Sequence, residues 1–158
     1  MPGKVTEVDR GWKRIKRKLL KGSPSYVRVG IQGDEAQEAH GGATNVLVAS
    51  VHEYGSPSRN IPERSFFRST FDKYRKKYVK RSKELGQDLI AKKISRASGL
   101  RLIGEEHRSD IIDRVRGRRG GKIKQRLSPA TVKRRGETGP ALYDTGQMIG
   151  ALSVELEK

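Results

Sequence analysis

The stretch that decides the fold of this chain is His52-Glu53-Tyr54-Gly55, followed by a polar turn and then by Ile61-Pro62-Glu63-Arg64-Ser65-Phe66-Phe67-Arg68. Gly55 can adopt a positive φ and so end a helix. Pro57 and Pro62 favour extended geometry in the residues that precede them. The pattern predicts that one helix ends at Gly55, that the chain turns, and that an extended arm follows.

Two aromatic residues close the extended arm. Phe66 and Phe67 are large apolar anchors at the point where a long charged helix begins. We expect them to fix the start of that helix against the body of the protein. The same pattern is typical of an ordinary helix-loop-helix corner, so by itself it identifies no function.

Length and composition indicate one α+β domain spanning residues 1–158, with a small core. Only 33% of the residues are hydrophobic, and 35 Lys and Arg face 18 Asp and Glu, which gives a formal net charge of +17. Such a molecule repels itself unless an acidic partner or a polyanion is near. Nucleic acid, an acidic protein ring and an anionic membrane would each satisfy that requirement.

Several classes of protein are excluded by what the chain lacks. It has no cysteine, which excludes disulfides, thiolate zinc sites and cysteine nucleophiles. No segment approaches the roughly 20 apolar residues of a membrane span, and no apolar run near the N-terminus is long enough for a signal peptide. We therefore expect a soluble protein without a membrane partner, made in the cytoplasm.

The first part of the chain is predicted to contain an amphipathic helix over residues 5–20. Its apolar stripe recurs at steps of three and four, and Gly22 and Pro24 end it. The stripe consists of Val5, Val8, Trp12, Ile15 and Leu19. We expect Trp12 to pack in the core, although a role as an interface anchor is the alternative.

A strand and a second helix should follow. Apolar residues alternate from Tyr26 to Gln32, which predicts a strand with one buried face. Residues 33–42 are polar and flanked by glycine, so we expect a mobile loop or hairpin tip. It either becomes ordered in an assembly or is a plain surface loop, and the sequence favours neither alternative. Thr44 or Asn45 can cap a helix that continues to Tyr54.

A long helix is predicted over about residues 69–97, because aromatic and aliphatic residues repeat there at helical spacing. Its other faces carry Lys76, Lys77 and Lys80 among further cations, which form either a solvated face or a binding surface. Ser98-Gly99 indicates a break, and a second amphipathic helix follows. On its stripe His107 is more typical of a core or boundary position than of a ligand.

The last third should contain a basic loop over residues 116–126, a short helix opened by Ser128-Pro129, and a C-terminal helix and strand over residues 144–157. Asp144 or Thr145 can cap that helix, and we expect the Asp144-Thr145-Gly146 turn to be structural rather than catalytic. The fold expected is α+β, with a small, mostly antiparallel sheet packed against one long and several short helices. We expect the long helix to cover the sheet.

No catalytic constellation stands out in the sequence. His40, His52 and His107 lie in three different predicted elements, with no two at the spacing of metal ligands on a helix. No glycine-rich phosphate loop follows a strand. We therefore expect a protein that is not an enzyme and has no catalytic residues, no metal and no cofactor.

Five segments together resemble a known family. They are Val29-Gly30-Ile31, residues 49–55 (Ala-Ser-Val-His-Glu-Tyr-Gly), residues 61–68, residues 127–132 (Leu-Ser-Pro-Ala-Thr-Val) and residues 142–148 (Leu-Tyr-Asp-Thr-Gly-Gln-Met). In order and spacing they resemble the tail-completion proteins of long-tailed bacteriophages, also called virion morphogenesis proteins in Mu-like phages. The resemblance covers roughly residues 26–156. Ser65 stands where the family usually has a second proline.

The resemblance implies a structural protein of the virion neck or upper tail. Such a protein would form a homo-oligomeric ring of six or twelve copies between the head connector or adaptor and the tail tube or terminator, with contact to packaged DNA as a further option. The expected contact residues lie on the extended arm and the basic helix: Ile61, Pro62, Arg64, Phe66, Phe67, Lys76, Lys77 and Lys80. The expected structural motif comprises His52, Glu53, Tyr54 and Gly55 together with Asp144, Thr145 and Gly146.

A basic nucleic-acid-binding module is the competing interpretation. The long helix carries Tyr74 and Tyr78 among its lysines and arginines, and aromatic side chains within a basic surface can stack on bases. These tyrosines lie on the apolar stripe, however, which favours a place in the core. The sequence leaves both classes open.

Overall fold

The computed structural model describes residues 11–21, 26–118, 123, 127–135, 140–143 and 145–157. Among these residues the chain forms six α-helices and four β-strands. The helices are α1 (Trp12–Leu20), α2 (Asn45–Tyr54), α3 (Arg68–Ile90), α4 (Arg96–Val115), α5 (Pro129–Arg135) and α6 (Gln147–Gly150). The strands are β1 (Tyr26–Ile31), β2 (Ala39–His40), β3 (Ala43–Thr44) and β4 (Leu152–Glu157).

The two predicted strands pair with each other, which confirms the α+β class. β1 and β4 run antiparallel, with Val29 opposite Val154 and Ile31 opposite Leu152. The first and last strands of the described chain therefore form one two-stranded sheet. Apolar side chains of both strands share a face, as strict alternation requires.

The helix that covers this sheet is α4, and the expectation that the long helix would do so is wrong. α4 packs against both β1 and β4, while α3 packs against α4 beside it. Close approach of α4 to the sheet depends on Gly104. A Cβ at that position would lie 2.6 Å from Cγ1 of Val154 and 2.7 Å from Cγ2 of Val27.

The predicted extent of the long helix is also wrong. α3 ends at Ile90, and Lys92 adopts a positive φ of 59°. α4 then begins after Ser95, whose hydroxyl accepts the N–H of Ser98 at 3.0 Å. The break thus falls over residues 91–95 rather than at Ser98-Gly99, because Ser95 offers a side-chain cap and Gly99 lies within the first turn.

Buried polar contacts fasten α3 to α4. Asp110 is only 2% exposed. Its carboxylate accepts the Tyr78 hydroxyl at 3.0 Å and the Lys77 ammonium at 2.6 Å. Farther along the pair, Arg81 Nε donates to Glu106 at 2.7 Å. These contacts make the helix pair one layer beneath the sheet.

Residues 33–42 form a short 3₁₀ turn and the β2–β3 hairpin, as one of the two predicted alternatives. The hairpin has an anchor that the sequence did not suggest. The fully buried Asn45 donates to the Glu35 carbonyl at 2.9 Å, and its Oδ1 lies 2.9 Å from Nδ1 of His40. This anchor consists of polar side chains. The prediction of mobility considered only apolar residues, so it missed the anchor. Mobility of this segment outside an assembly stays a prediction.

α1 begins at Trp12, because Gly11 before it has a left-handed φ of 100°, so the prediction of one unbroken helix over residues 5–20 is wrong at Gly11. Residues 5–10 and the predicted stop at Gly22 and Pro24 lie outside the described residues. The expectation that Trp12 packs in the core is wrong, since 61% of its surface is exposed. Ile15, one turn on, is also exposed. Helical periodicity correctly predicted that this segment is a helix. It could not predict whether other residues cover the apolar stripe of that helix.

The core lies where β1, β4, α2, α4, α6 and the end of the arm meet. Its buried members are Ala49, Phe66, Ile111, Val115, Leu142, Met148, Ile149 and Leu152. Phe66 is completely buried and its ring centroid lies 4.6 Å from that of Phe67, which confirms the anchoring role expected of the pair. None of the helices among the described residues has the length and hydropathy required to cross a membrane.

The last third follows the prediction in outline. α5 starts at Pro129, and the Ser128 hydroxyl accepts the N–H of Thr131 at 3.2 Å. α6 buries Met148 and Ile149. Most of the predicted basic loop 116–126 and Asp144 lie outside the described residues, although Ile123 packs against the core.

We predict that Gly104→Ala destabilises the protein although alanine is the better helix former. The clash with two β-branched side chains should cost about 1–3 kcal/mol, which exceeds the gain in helix propensity of about 1 kcal/mol. The matched control is Gly86→Ala in α3, where a Cβ meets nothing within 4 Å. Gly86→Ala should stabilise by about 0.5–1 kcal/mol. Urea unfolding measures both, and equal stabilisation by the two changes would contradict the close packing of α4.

Candidate functional site

The His52–Gly55 stretch folds into a corner whose centre is the Glu53 carboxylate. This side chain is 5% exposed. It accepts the backbone N–H groups of Phe66, Phe67 and Arg68 at 2.8, 2.9 and 3.1 Å. It also accepts the Ser65 hydroxyl at 2.7 Å. One carboxylate at the end of α2 thus binds the first turn of α3.

The Glu53 carboxylate provides hydrogen-bond acceptors at the N-terminus of α3. The first N–H groups of a helix have no partner within the helix. The residue at the N-cap position is Phe67, which has no side-chain oxygen to offer. Glu53 supplies the missing acceptor from 14 residues upstream, and its negative charge lies at the positive end of the helix dipole.

Electrostatics around Glu53 favour the charged form. Burial by itself would raise the pKa of this carboxyl. The N–H groups of Phe67, Arg68 and Phe66 and the hydroxyl of Ser65 outweigh burial, so the pKa lies below its ordinary value of 4.5. Nε of Arg68, which donates to the same carboxylate at 3.1 Å, adds a charge-assisted bond.

Gly55 and His52 set the direction of the extended arm. Gly55 has a φ of 76°, and a Cβ there would lie 2.9 Å from the backbone nitrogen of Glu63. Only glycine therefore lets the arm pass this close to the end of α2. The arm is then held by the N–H of Arg64, which donates to the His52 carbonyl at 2.7 Å.

A cavity of about 670 Å³ opens beside this corner. It is lined by four of the five segments that carry the resemblance, together with residues from the hairpin and the turn. The lining residues from those segments are His52, Ile61, Pro62, Arg64, Leu127, Ser128, Thr131, Leu142, Thr145, Gly146, Gln147 and Met148. Burial, then the charges of Arg64 and His40, lower the pKa of His52 to about 4. Its imidazole is therefore neutral at pH 7.

None of the described residues that line the cavity is an Asp or a Glu. Within the part of the chain that the structure describes, no group of three or more His, Asp or Glu side chains is placed to bind a metal ion. His40 and His52 both border the cavity, and the carboxylate of Glu53, which follows His52 in sequence, binds the start of α3. The corner therefore orients neighbouring segments of this chain.

Several residues expected to contact partners are instead buried. Phe66 is in the core and Arg64 is 5% exposed. Phe67 is half-buried against the core, while Ile61 and Pro62 border the cavity. The expectation that the arm as a whole presents a contact surface is therefore wrong for Phe66 and Arg64. The Phe66 side chain packs into the core at the start of α3, where it anchors the helix rather than contacting a partner.

The three lysines of α3 that were expected to contact partners, Lys76, Lys77 and Lys80, have different environments. Lys76 and Lys80 are exposed and border a shallow groove with Arg75 and Lys83. Lys77 points instead toward α4, where it pairs with Asp110. The Lys77 side chain nevertheless remains 44% exposed, so the expectation that all three belong to one contact surface stays a prediction.

The remaining motif residues are structural where they are described. Tyr54 is 67% exposed, and the Arg68 guanidinium lies 5.2 Å from the centroid of its ring. The Thr145 hydroxyl accepts the N–H of Gln147 at 3.2 Å, and Gly146 precedes α6 with a φ of 82°. Asp144 lies outside the described residues, so its expected role as a cap stays a prediction.

Sequence reasoning recognised the corner but missed the role of Glu53 and of Asp110. One signal for Glu53 was present. The long helix begins after Phe67, which has no side-chain acceptor, and the Ser65 hydroxyl accepts only the N–H of Ser69, so a further acceptor had to come from elsewhere in the chain. No comparable signal marked Asp110, whose partner Lys77 lies 33 positions away.

Comparison with models of known protein families, with curated proteins and with solved structures found no match for this chain.

We predict that Glu53→Gln lowers the free energy of unfolding by about 2–4 kcal/mol at pH 7, because an amide replaces a buried charge that binds several donors. The folded pKa lies below 4.5, so the carboxylate stabilises the fold fully above pH 4.5. That contribution is lost as pH falls through the folded pKa. The difference between the variant and the original protein should therefore shrink in acid.

The control for this prediction is Glu63→Gln, which changes an exposed carboxylate that pairs with the same Arg68. It should change stability by less than about 1 kcal/mol. Urea unfolding at a series of pH values from 3 to 7 tests both. Equal losses for the two variants, or a gap that does not narrow in acid, would contradict the role assigned to Glu53.

Proposed function

We propose that this chain is a structural protein of the neck or upper tail of a long-tailed bacteriophage. In this proposal it forms a ring that completes the tail and joins it to the head connector, and it acts by binding neighbours rather than by catalysis. The function is carried over from the resemblance of the five segments to the tail-completion proteins.

The observation that carries the proposal is the convergence of the five segments that bear the resemblance. Four of them line the cavity beside Glu53. Val29 and Ile31, from the fifth, pack against the core cluster that contains Ala49, Phe66 and Leu142. Short matches that arise by chance have no reason to meet in space. Their meeting at one corner supports a common folding unit as the origin of the resemblance.

The charge and exposure of the surface also favour an assembly protein. The chain carries a formal charge of +17, so copies placed in a ring repel one another unless an acidic neighbour or DNA compensates. Several large apolar side chains are exposed as well, which is expected of a subunit whose neighbours cover them. They include Trp12, Tyr54, Phe71, Val79, Ile90 and Leu102.

A nucleic-acid-binding module is the second candidate, and the same basic surface favours it. Its weakness is the placement of the aromatic residues. Tyr78 is buried and its hydroxyl donates to Asp110, and Tyr74 is half-buried beside it. Neither of these two rings is free to stack on bases, which is the usual source of affinity for single strands. Binding of DNA through the basic face of α3 should then be mainly electrostatic and steeply dependent on salt.

Loss of the protein in an infected cell tests the proposal directly. Electron microscopy should show DNA-filled heads and finished tails that have not joined. Adding the purified protein to an extract of these infected cells should restore the joining of heads to tails. Normal particles in its absence, or heads without DNA, would exclude the proposed function.

We further predict that Lys76→Glu combined with Lys80→Glu lowers the yield of joined particles at least about tenfold without unfolding the protein, because both side chains are exposed. The matched control is Lys16→Glu with Arg101→Glu, which makes the same change in net charge at exposed positions elsewhere. Infectious titre and thermal unfolding measure the two effects. A normal titre for the first variant would show that these lysines are only a solvated face.

Lys77→Glu provides an internal contrast. It would place a second carboxylate next to the buried Asp110, so it should destabilise the fold by about 2–4 kcal/mol. A thermal unfolding temperature unchanged by Lys77→Glu would contradict the assignment of Lys77 to the α3–α4 contact.

A further inference from the structure

The layer of helices is wider than the sheet that covers it. The β1–β4 sheet has two strands and packs on α4. α3 lies beside α4, and among the described residues its contacts with the sheet are too few to bury its upper face. A groove of about 790 Å³ remains between β1, α4 and α3. One side of a two-layer domain is therefore left without its cover.

The wall that α3 contributes is a single stripe along the helix. Phe71, Arg75, Val79 and Lys83 follow at intervals of four residues, so they lie on one face. Phe71 is 46% exposed and Val79 is 50% exposed. These apolar side chains are large, accessible and adjacent to the sheet.

The opposite wall is the edge of β1. Val27, Arg28 and Val29 are consecutive, and all three line the groove. Successive side chains of a strand point to opposite faces, so three consecutive lining residues place the groove along the edge of the strand. Within the described residues β1 pairs with β4 alone, and no described strand occupies its other edge.

Among the described residues that line the groove, every formally charged side chain is a cation. Arg75 and Lys83 line it, and Lys76 and Lys80 border the adjoining shallow groove with them. No Asp or Glu is among the residues that line either groove, and none of these four cations forms an ion pair with a described carboxylate. Arg28 also reaches the groove, but its guanidinium pairs with Glu157.

We propose that the open edge of β1 binds an extended segment of an acidic partner protein, which adds as a third strand over α3. Backbone groups of β1 would supply the hydrogen bonds, as in other cases of strand addition. Apolar side chains on one face of the segment would cover Phe71 and Val79. Acidic side chains at its margin would meet Arg75 and Lys83.

This inference deepens the proposed function, because it gives the assembly partner a chemistry, and in that respect it rests on it. A second copy of the chain is a poor occupant, since copies with a charge of +17 repel. Nucleic acid is a poor occupant for two reasons. A phosphate backbone would not cover the apolar stripe of α3, and it would not continue the backbone hydrogen bonding of a sheet along the edge of β1.

The test uses the purified full-length protein and a dye-labelled peptide of about eight residues in which valine alternates with glutamate. Fluorescence anisotropy at low salt should show binding. A peptide with lysine in place of glutamate should not bind, and one with proline at its two central positions should bind at least about tenfold more weakly, because proline cannot donate to the strand. Hydrogen exchange at the β1 amides should slow when the acidic peptide is added.

Two variants locate the binding. Arg75→Glu with Lys83→Glu should weaken binding of the acidic peptide at least about tenfold, and Val79→Ser about threefold or more. Lys16→Glu with Arg101→Glu, which keeps the same net charge as the first variant away from the groove, should change it by less than about twofold. All of these positions are exposed, and thermal unfolding checks that the variants remain folded.

Three results would overturn the inference: no binding of the acidic peptide, equal binding of the proline peptide, or protection that appears elsewhere than at β1. A single-stranded oligonucleotide that binds this groove while the acidic peptide does not would replace the partner by nucleic acid. The peptide test needs no phage, so the two proposals can fail separately. If the peptide does not bind but the protein restores head-tail joining in extracts, only the strand addition is refuted. If the peptide binds but the protein does not restore joining, only the virion role is refuted.

Discussion

The Glu53 carboxylate is the interaction on which the rest of the structure depends. It accepts three consecutive backbone N–H groups at the start of α3, and so joins the end of one helix to the start of the next. A charge buried to this degree is stabilised only by donors aimed at it. The donors come from the helix start that this charge holds in place. Corner and helix therefore form together or not at all.

The position of α3 then determines what the protein can present to a partner. Asp110 fastens α3 to α4 through Lys77 and Tyr78, and Gly104 lets α4 approach the sheet. The sheet covers α4 but not α3. An exposed stripe, an open strand edge and a surplus of positive charge consequently lie next to one another. That juxtaposition favours a protein that acts by binding, which is what the proposed place in a virion requires.

Local rules determined much of the fold from the sequence alone. Gly55 ends a helix because its φ is positive, and Ser128-Pro129 starts one because the serine caps it and the proline fits its first turn. The alternation of apolar and polar residues predicted β1 and β4. Together with the helical periodicity of the segments between them, it predicted the α+β class. Each of these signals is short in range. They act through backbone conformation and side-chain period, which neighbouring residues specify directly.

Only the tertiary structure decided which elements meet and which charges are used. Lys76, Lys77 and Lys80 look equivalent in sequence, yet Lys77 pairs with a buried carboxylate 33 positions away. Trp12 has the spacing of a core residue but is exposed. Periodicity shows that a face is apolar, not what covers it, and a buried charge is recognised only by its partner in space. The cap at Glu53 and the open edge of β1 both arise from contacts between distant segments, which no local pattern specifies.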